Sequence, residues 1–99
     1  MTVKILPNEK GNPPGKLADA ELYFTEGPLQ GLKLIGFAIW ERKSGTGRNV
    51  TLPARQYTVN GERRSFALLR PIEDATAQER VRELILQAYV EHEAAAVGA

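Results

Sequence analysis

Leu32-Lys33-Leu34-Ile35-Gly36-Phe37-Ala38-Ile39-Trp40 is the most apolar stretch of the chain, and its reading decides the fold class. Its β-branched and aromatic content favours a strand over a helix. Gly36 sits in the middle, and the apolar phase changes across it. Leu32 and Leu34 are out of step with Ile35, Phe37 and Ile39. A one-residue slip with glycine at its centre predicts a β-bulge or a close approach of another backbone. Trp40 closes the stretch and is expected to pack in the core.

Upstream, residues 16–25 alternate. Ala18, Ala20, Leu22 and Phe24 fall on one face; Asp19, Glu21 and Tyr23 fall on the other. Period two with one apolar face is a half-buried strand, and Glu26-Gly27-Pro28 breaks it. Residues 7–16 are rich in Pro, Gly and Asn, so residues 1–16 read as a flexible arm. Val3 to Leu6 is short enough to be a strand within it.

Downstream, Lys43-Ser44-Gly45-Thr46-Gly47 reads as a hairpin tip, and Asn49 to Leu52 returns as a strand ended by Pro53. Gln56 to Val59 and Glu62 to Phe66 flank Asn60-Gly61. That dipeptide between β-like runs predicts a type I′ hairpin, because both central residues need φ > 0. Phe66 to Leu69 is expected to continue as a buried strand until Arg70-Pro71. Thr76-Ala77-Gln78-Glu79 has the form of a capping box. Behind it Val81, Leu84, Ile85, Ala88 and Tyr89 follow helical spacing, so one stripe is expected to lie on the sheet. The expected architecture is α+β: a small twisted antiparallel sheet of four to five strands with one C-terminal amphipathic helix. The domain is expected to span residues 17–92, with residues 93–99 as a frayed tail.

Ninety-nine residues make one domain. With 42% hydrophobic and 25% charged residues, the composition is that of an ordered globular chain. There is no cysteine, which fits a reducing compartment such as the cytoplasm and removes disulfides and thiolate metal sites. The first apolar stretch is too short for a signal-peptide core, and no run approaches the roughly 20 apolar residues of a membrane span.

The net charge of +1 conceals a segregation. Residues 1–39 are balanced. Residues 40–70 carry seven basic side chains against Glu41 and Glu62; residues 71–99 carry Arg80 and Arg82 against six acids. A basic middle beside an acidic helix suits an anionic partner, or the docking of one subunit's helix on another's sheet.

Catalytic constellations are missing from this sequence. His92 is the only histidine, and no second metal ligand shares its helical face. A Ser or Thr nucleophile has no base except His92, in the expected tail. Gly45-Thr46-Gly47 lacks the Gly-Lys-Ser/Thr of a phosphate-binding loop, and Asp19 and Glu21 are explained by a strand's solvent face. The chain therefore reads as a non-enzyme with no cofactor. Its informative feature is the basic hairpins. Arg42, Lys43 and Arg48 surround one; Arg55, Arg63 and Arg64 surround the other. Such side chains suit phosphate, because each neutralised phosphate releases counterions. Arg63 and Arg64 alternate faces, so only one of them joins a given patch. Tyr57 is the one base-stacking candidate on the hairpins. The bland alternative is solvated arginines that pair with helix carboxylates.

The order of Leu34 to Glu41, Gly45 to Val50, Leu52-Pro53-Ala54-Arg55, Asn60-Gly61-Glu62-Arg63, Arg70-Pro71-Ile72 and a helix from Thr76 resembles the stage V sporulation protein G (SpoVG) septation-regulator family. The resemblance spans roughly residues 17–90 and rests on order and spacing. It implies a small bacterial α+β homodimer that binds DNA or RNA. By resemblance, Arg55, after the proline motif, and Arg63, after the turn, carry binding, with Arg64 beside them. The rival expectation is a protein–protein interaction module of regulatory or phage and plasmid origin, without nucleic acid. A membrane partner is not expected.

Overall fold

The computed structural model describes residues 1–42 and 47–97. Lys43 and the rest of the expected hairpin tip up to residue 46 lie outside the described residues, as do Gly98 and Ala99. The elements run β1 (Thr2–Pro7), β2 (Lys16–Tyr23), β3 (Lys33–Glu41), β4 (Arg48–Thr51), β5 (Ala54–Val59), β6 (Glu62–Ala67) and α1 (Thr76–Val97). The first four strands form one antiparallel sheet in sequence order. β5 and β6 form a separate two-stranded ribbon. The α+β architecture expected from the sequence is present, with the strands divided between two sheets.

The core lies between the four-stranded sheet and α1. On β2, Ala18, Ala20 and Leu22 are buried, as the alternation requires. Their cross-strand partners are Pro7, Ile5 and Val3 on β1 and Ile39, Phe37 and Leu34 on β3. Val50 pairs with Ile39 and extends this layer to β4. Ile85 and Tyr89 of α1 press on it, with Val81 and Leu86 packed at the margin. Two alanines at the centre of the sheet leave room for the helix to approach. The 0% exposure of Ile85 and Phe37 marks where it does.

The bulge falls where the phase change placed it. Between Ala20 and Leu22 the register on β3 jumps from Phe37 to Leu34, so Ile35-Gly36 holds the extra residue. Gly36 has φ 107°. A Cβ built there would stand 3.1 Å from the Cβ of Pro53. Both expectations for this glycine, bulge and close approach, are met. The contact ties the two sheets together, because buried Pro53 leads into the β5–β6 ribbon and its carbonyl accepts the Leu68 N–H at 3.0 Å. The base of the ribbon is thus clamped onto the bulge.

Several expectations are corrected. The short strand read at Val3 to Leu6 is present, but not within a flexible arm: residues 2–7 form β1 and pair with β2 from Thr2↔Tyr23 to Pro7↔Ala18. Val3 and Ile5 give this strand an apolar face to bury, and Asn8 ties the following loop back by bonds to the Leu17 and Lys16 carbonyls. Trp40 is only half-buried. It points away from the α1 layer, since Ile39 next to it points in, and its Nε1 donates to Thr51 Oγ1 at 3.0 Å. The run Phe66 to Leu69 is not a buried strand: β6 ends at Ala67, and Phe66 and Leu68 are exposed. The helix is capped by Asp74, whose carboxylate accepts the Thr76 N–H at 2.9 Å, and not by Thr76. Leu84 leaves the expected stripe; the register that faces the sheet is Val81, Ile85, Tyr89, one residue every four. Residues 93–97, expected in a frayed tail, continue α1.

Candidate nucleic-acid interface

Every residue from Ala54 to Phe66 is exposed, so the ribbon stands clear of the core. A radius of gyration of 14.9 Å, against about 13 Å for a compact chain of this length, reflects the extended outline. Asn60 at φ 51° and Gly61 at φ 81° make the tight turn that the Asn-Gly pair predicts.

Register assigns the faces, because directly opposed residues point the same way. The pairs Arg55↔Phe66, Tyr57↔Arg64 and Val59↔Glu62 form one face. The pairs Ala54↔Ala67, Gln56↔Ser65 and Thr58↔Arg63 form the other. The first face therefore interleaves two arginines with two aromatic rings. Arg70, just past the ribbon, adds a third cation, its guanidinium lying 4.3 Å from the Phe66 ring centroid. The acid on this face is Glu62 at the tip, 3.4 Å from Arg64 Nη2, with both side chains more than half exposed. Such a pair is worth little in water. Among the described residues, Arg55 and Arg63 have no ion-pair partner.

The site residues expected from the sequence thus separate. Arg55 and Arg64 share the aromatic face. Arg63 lies on the reverse, polar face, so the two positions that the family resemblance favours, Arg55 and Arg63, do not meet. Arg48 is committed elsewhere. Its Nη1 and Nη2 meet the Glu93 carboxylate at 2.7 and 3.0 Å, and its guanidinium sits 4.9 Å from the Tyr89 ring centroid. Burial and the neighbouring Glu93 charge raise the Tyr89 pKa, with Arg48 opposing. This cluster fastens the second half of α1 to β4. It fulfils the bland reading for one arginine: a helix carboxylate of the same chain neutralises it.

Two side chains of this face escape the sequence analysis. Phe66 begins an apolar run and so reads as core, and Arg70 reads only as a strand end. The signal that could have found Phe66 is its distance from the Asn-Gly turn: it falls opposite Arg55 by simple counting.

Other features offer less. An open cleft of about 620 Å³ lies where the chain leaves the ribbon and enters the helix, lined by Arg70, Ile72, Glu73, Asp74, Thr76 and Arg80 among others. Its two cations face two acids, so it has no net preference for an anion. Hydrogen bonds from Thr76 hold the Asp74 carboxyl below its usual value and keep it charged. His92 stacks on Tyr89 at 6.5 Å. Among the described residues no group of three or more His, Cys, Asp or Glu is placed to hold a metal, and no helix is long and apolar enough to cross a membrane. No family model matches the chain, and the searches of curated proteins and of solved structures returned no match.

Proposed function

We propose that this protein is a non-enzymatic regulator of the SpoVG-like type, cytoplasmic and bacterial, that binds DNA or RNA through the β5–β6 ribbon with little sequence specificity. The observation that carries this reading is the placement of Arg55 and Arg64 along one exposed face of a ribbon that contributes nothing to the core, with Arg70 beside them on the Phe66 ring. Cations held out on a protruding hairpin reach phosphate without any desolvation of the protein's own interior. That face carries no Asn or Gln to read adenine edges, and the phosphate its arginines can meet is the same in every sequence, which supports tolerance of sequence. We further propose a homodimer. The sheet order leaves β1 and β4 as edges, and pairing an edge across a two-fold axis removes that exposed hydrogen-bonding row.

A second reading rests on its own observation. Leu68 and Ile72, just past the ribbon in the chain, are exposed, Ile72 at 99%, as are Leu32 and Ile35 on either side of β3's start. Apolar residues of this kind suit a protein partner, and the chain would then be an interaction module. Fluorescence anisotropy with labelled DNA and RNA at low salt separates the two. The nucleic-acid reading expects binding that falls in Arg55→Ala/Arg64→Ala and survives in Arg48→Ala. Absence of binding at low salt shifts the function to a protein partner.

A further inference from the structure

We infer that the ligand of the ribbon is single-stranded nucleic acid, and that Tyr57 and Phe66 hold it by stacking against its bases. The inference rests on the nucleic-acid reading above and goes past it, because phosphate contacts alone do not select a single strand over the more densely charged duplex. Tyr57 and Phe66 are 41% and 46% exposed, on a ribbon with no packing layer over it. Aromatic rings there add nothing to the core, and exposing them to water is unfavourable. Register sets them diagonally on one face: Tyr57 opposes Arg64, and Phe66 lies two residues further along the same strand. Such diagonal positions are about 7–8 Å apart, roughly two base steps of 3.4 Å along a stacked strand.

Each ring has its own cation. Arg64 is opposite Tyr57, Arg55 is opposite Phe66, and Arg70 stacks on Phe66. A guanidinium plane is itself a stacking surface for a base, so Arg70, lying over one face of Phe66, extends that stack and leaves the other ring face open. The alternation of ring and cation matches the alternation of base and phosphate in an unpaired strand. A duplex hides its base faces, and against it these rings would meet only sugar and phosphate. The neutral polar side chains of the ribbon's strands, Gln56, Thr58 and Ser65, lie on the reverse face with Arg63. The aromatic face carries both of the ribbon's aromatic rings and two of its three arginines.

The test is anisotropy of a short labelled mixed-sequence strand, as DNA and as RNA, and of the corresponding duplexes, with the full chain. Tyr57→Leu and Phe66→Leu keep apolar bulk and remove the π face; Phe66→Trp restores it. Stacking predicts that each Leu variant weakens single-strand binding by about 5- to 150-fold, that Phe66→Trp binds at least as well as the parent, and that Arg63→Ala changes little. A 2-aminopurine placed in the strand should change emission on binding the parent and not on binding the double Leu variant. Thermal melting of each variant excludes misfolding, since both positions are exposed. Duplex binding as tight as single-strand binding, or Leu variants that bind like the parent, overturns the inference while leaving nucleic-acid binding intact. Failure of every oligonucleotide to bind at low salt overturns the underlying reading as well.

Discussion

Replacing Gly36 by alanine should detach the ribbon from the sheet and destabilise the whole domain. At φ 107° an L-residue is strained, which costs roughly 1–3 kcal/mol. The new methyl would stand 3.1 Å from Pro53 Cβ and 3.4 Å from Pro53 Cα. Pro53 is buried and its ring is rigid, so the backbone at the start of β5 must yield. Crowding of this kind adds about 1 kcal/mol or more. The sum is roughly 3 kcal/mol, which for a domain of this size lowers the melting temperature by about 12–24 °C. Gly61→Ala is the control. Its φ of 81° is also unfavourable, but nothing lies within 4 Å of the added Cβ and the turn is exposed. It should therefore cost less than Gly36→Ala. Calorimetry gives the stability, and amide exchange at Leu68, which donates to the Pro53 carbonyl, reports whether the ribbon base opens. A Gly36→Ala protein that melts within a few degrees of the parent, or one no worse than Gly61→Ala, refutes the clamp.

Other outcomes follow from particular contacts. Arg48→Ala removes the Glu93 pair and the Tyr89 cation–π contact; denaturant unfolding should show a loss of about 1–2 kcal/mol, with oligonucleotide affinity unchanged. Ile85→Ala empties the centre of the core and should cost about 2–5 kcal/mol by the same measurement. Asp74→Ala should lower the melting temperature at neutral pH. Because the Asp74 pKa is depressed in the folded state, its contribution is present above the ordinary value of 3.8 and is lost as pH falls below it. The gap between parent and variant should therefore close in acid melts.

What is legible in the sequence has a local cause. The phase change around Gly36, the alternation on β2 and the Asn-Gly turn each fix geometry within a few residues, and all three are in the structure. Alternation also foretells that Arg63 and Arg64 part company. What is not legible depends on distance or on relative burial. The pairing of Arg48 with Glu93, 45 residues away, leaves no mark in either local pattern. Phe66 looks like core because an apolar residue in a strand usually is; only a ribbon detached from any covering layer leaves it exposed. β1 is legible as a short strand at Val3 to Leu6; its place in the sheet is not, because the prolines and glycines that follow it hide the pairing with β2. The helix cap moves from Thr76 to Asp74 because two neighbouring side chains can each serve, and only the path of the chain into the helix chooses between them.

The most direct measurement is the salt dependence of oligonucleotide affinity for the parent and for Arg55→Ala, Arg64→Ala and Arg70→Ala. If these three arginines meet phosphate, the slope of log K against log salt should be about −2 to −3, and each substitution should reduce it by about 0.7–0.9. Arg48→Ala should leave the slope where it is. A flat salt response, or a slope indifferent to all three substitutions, contradicts nucleic-acid binding by this face.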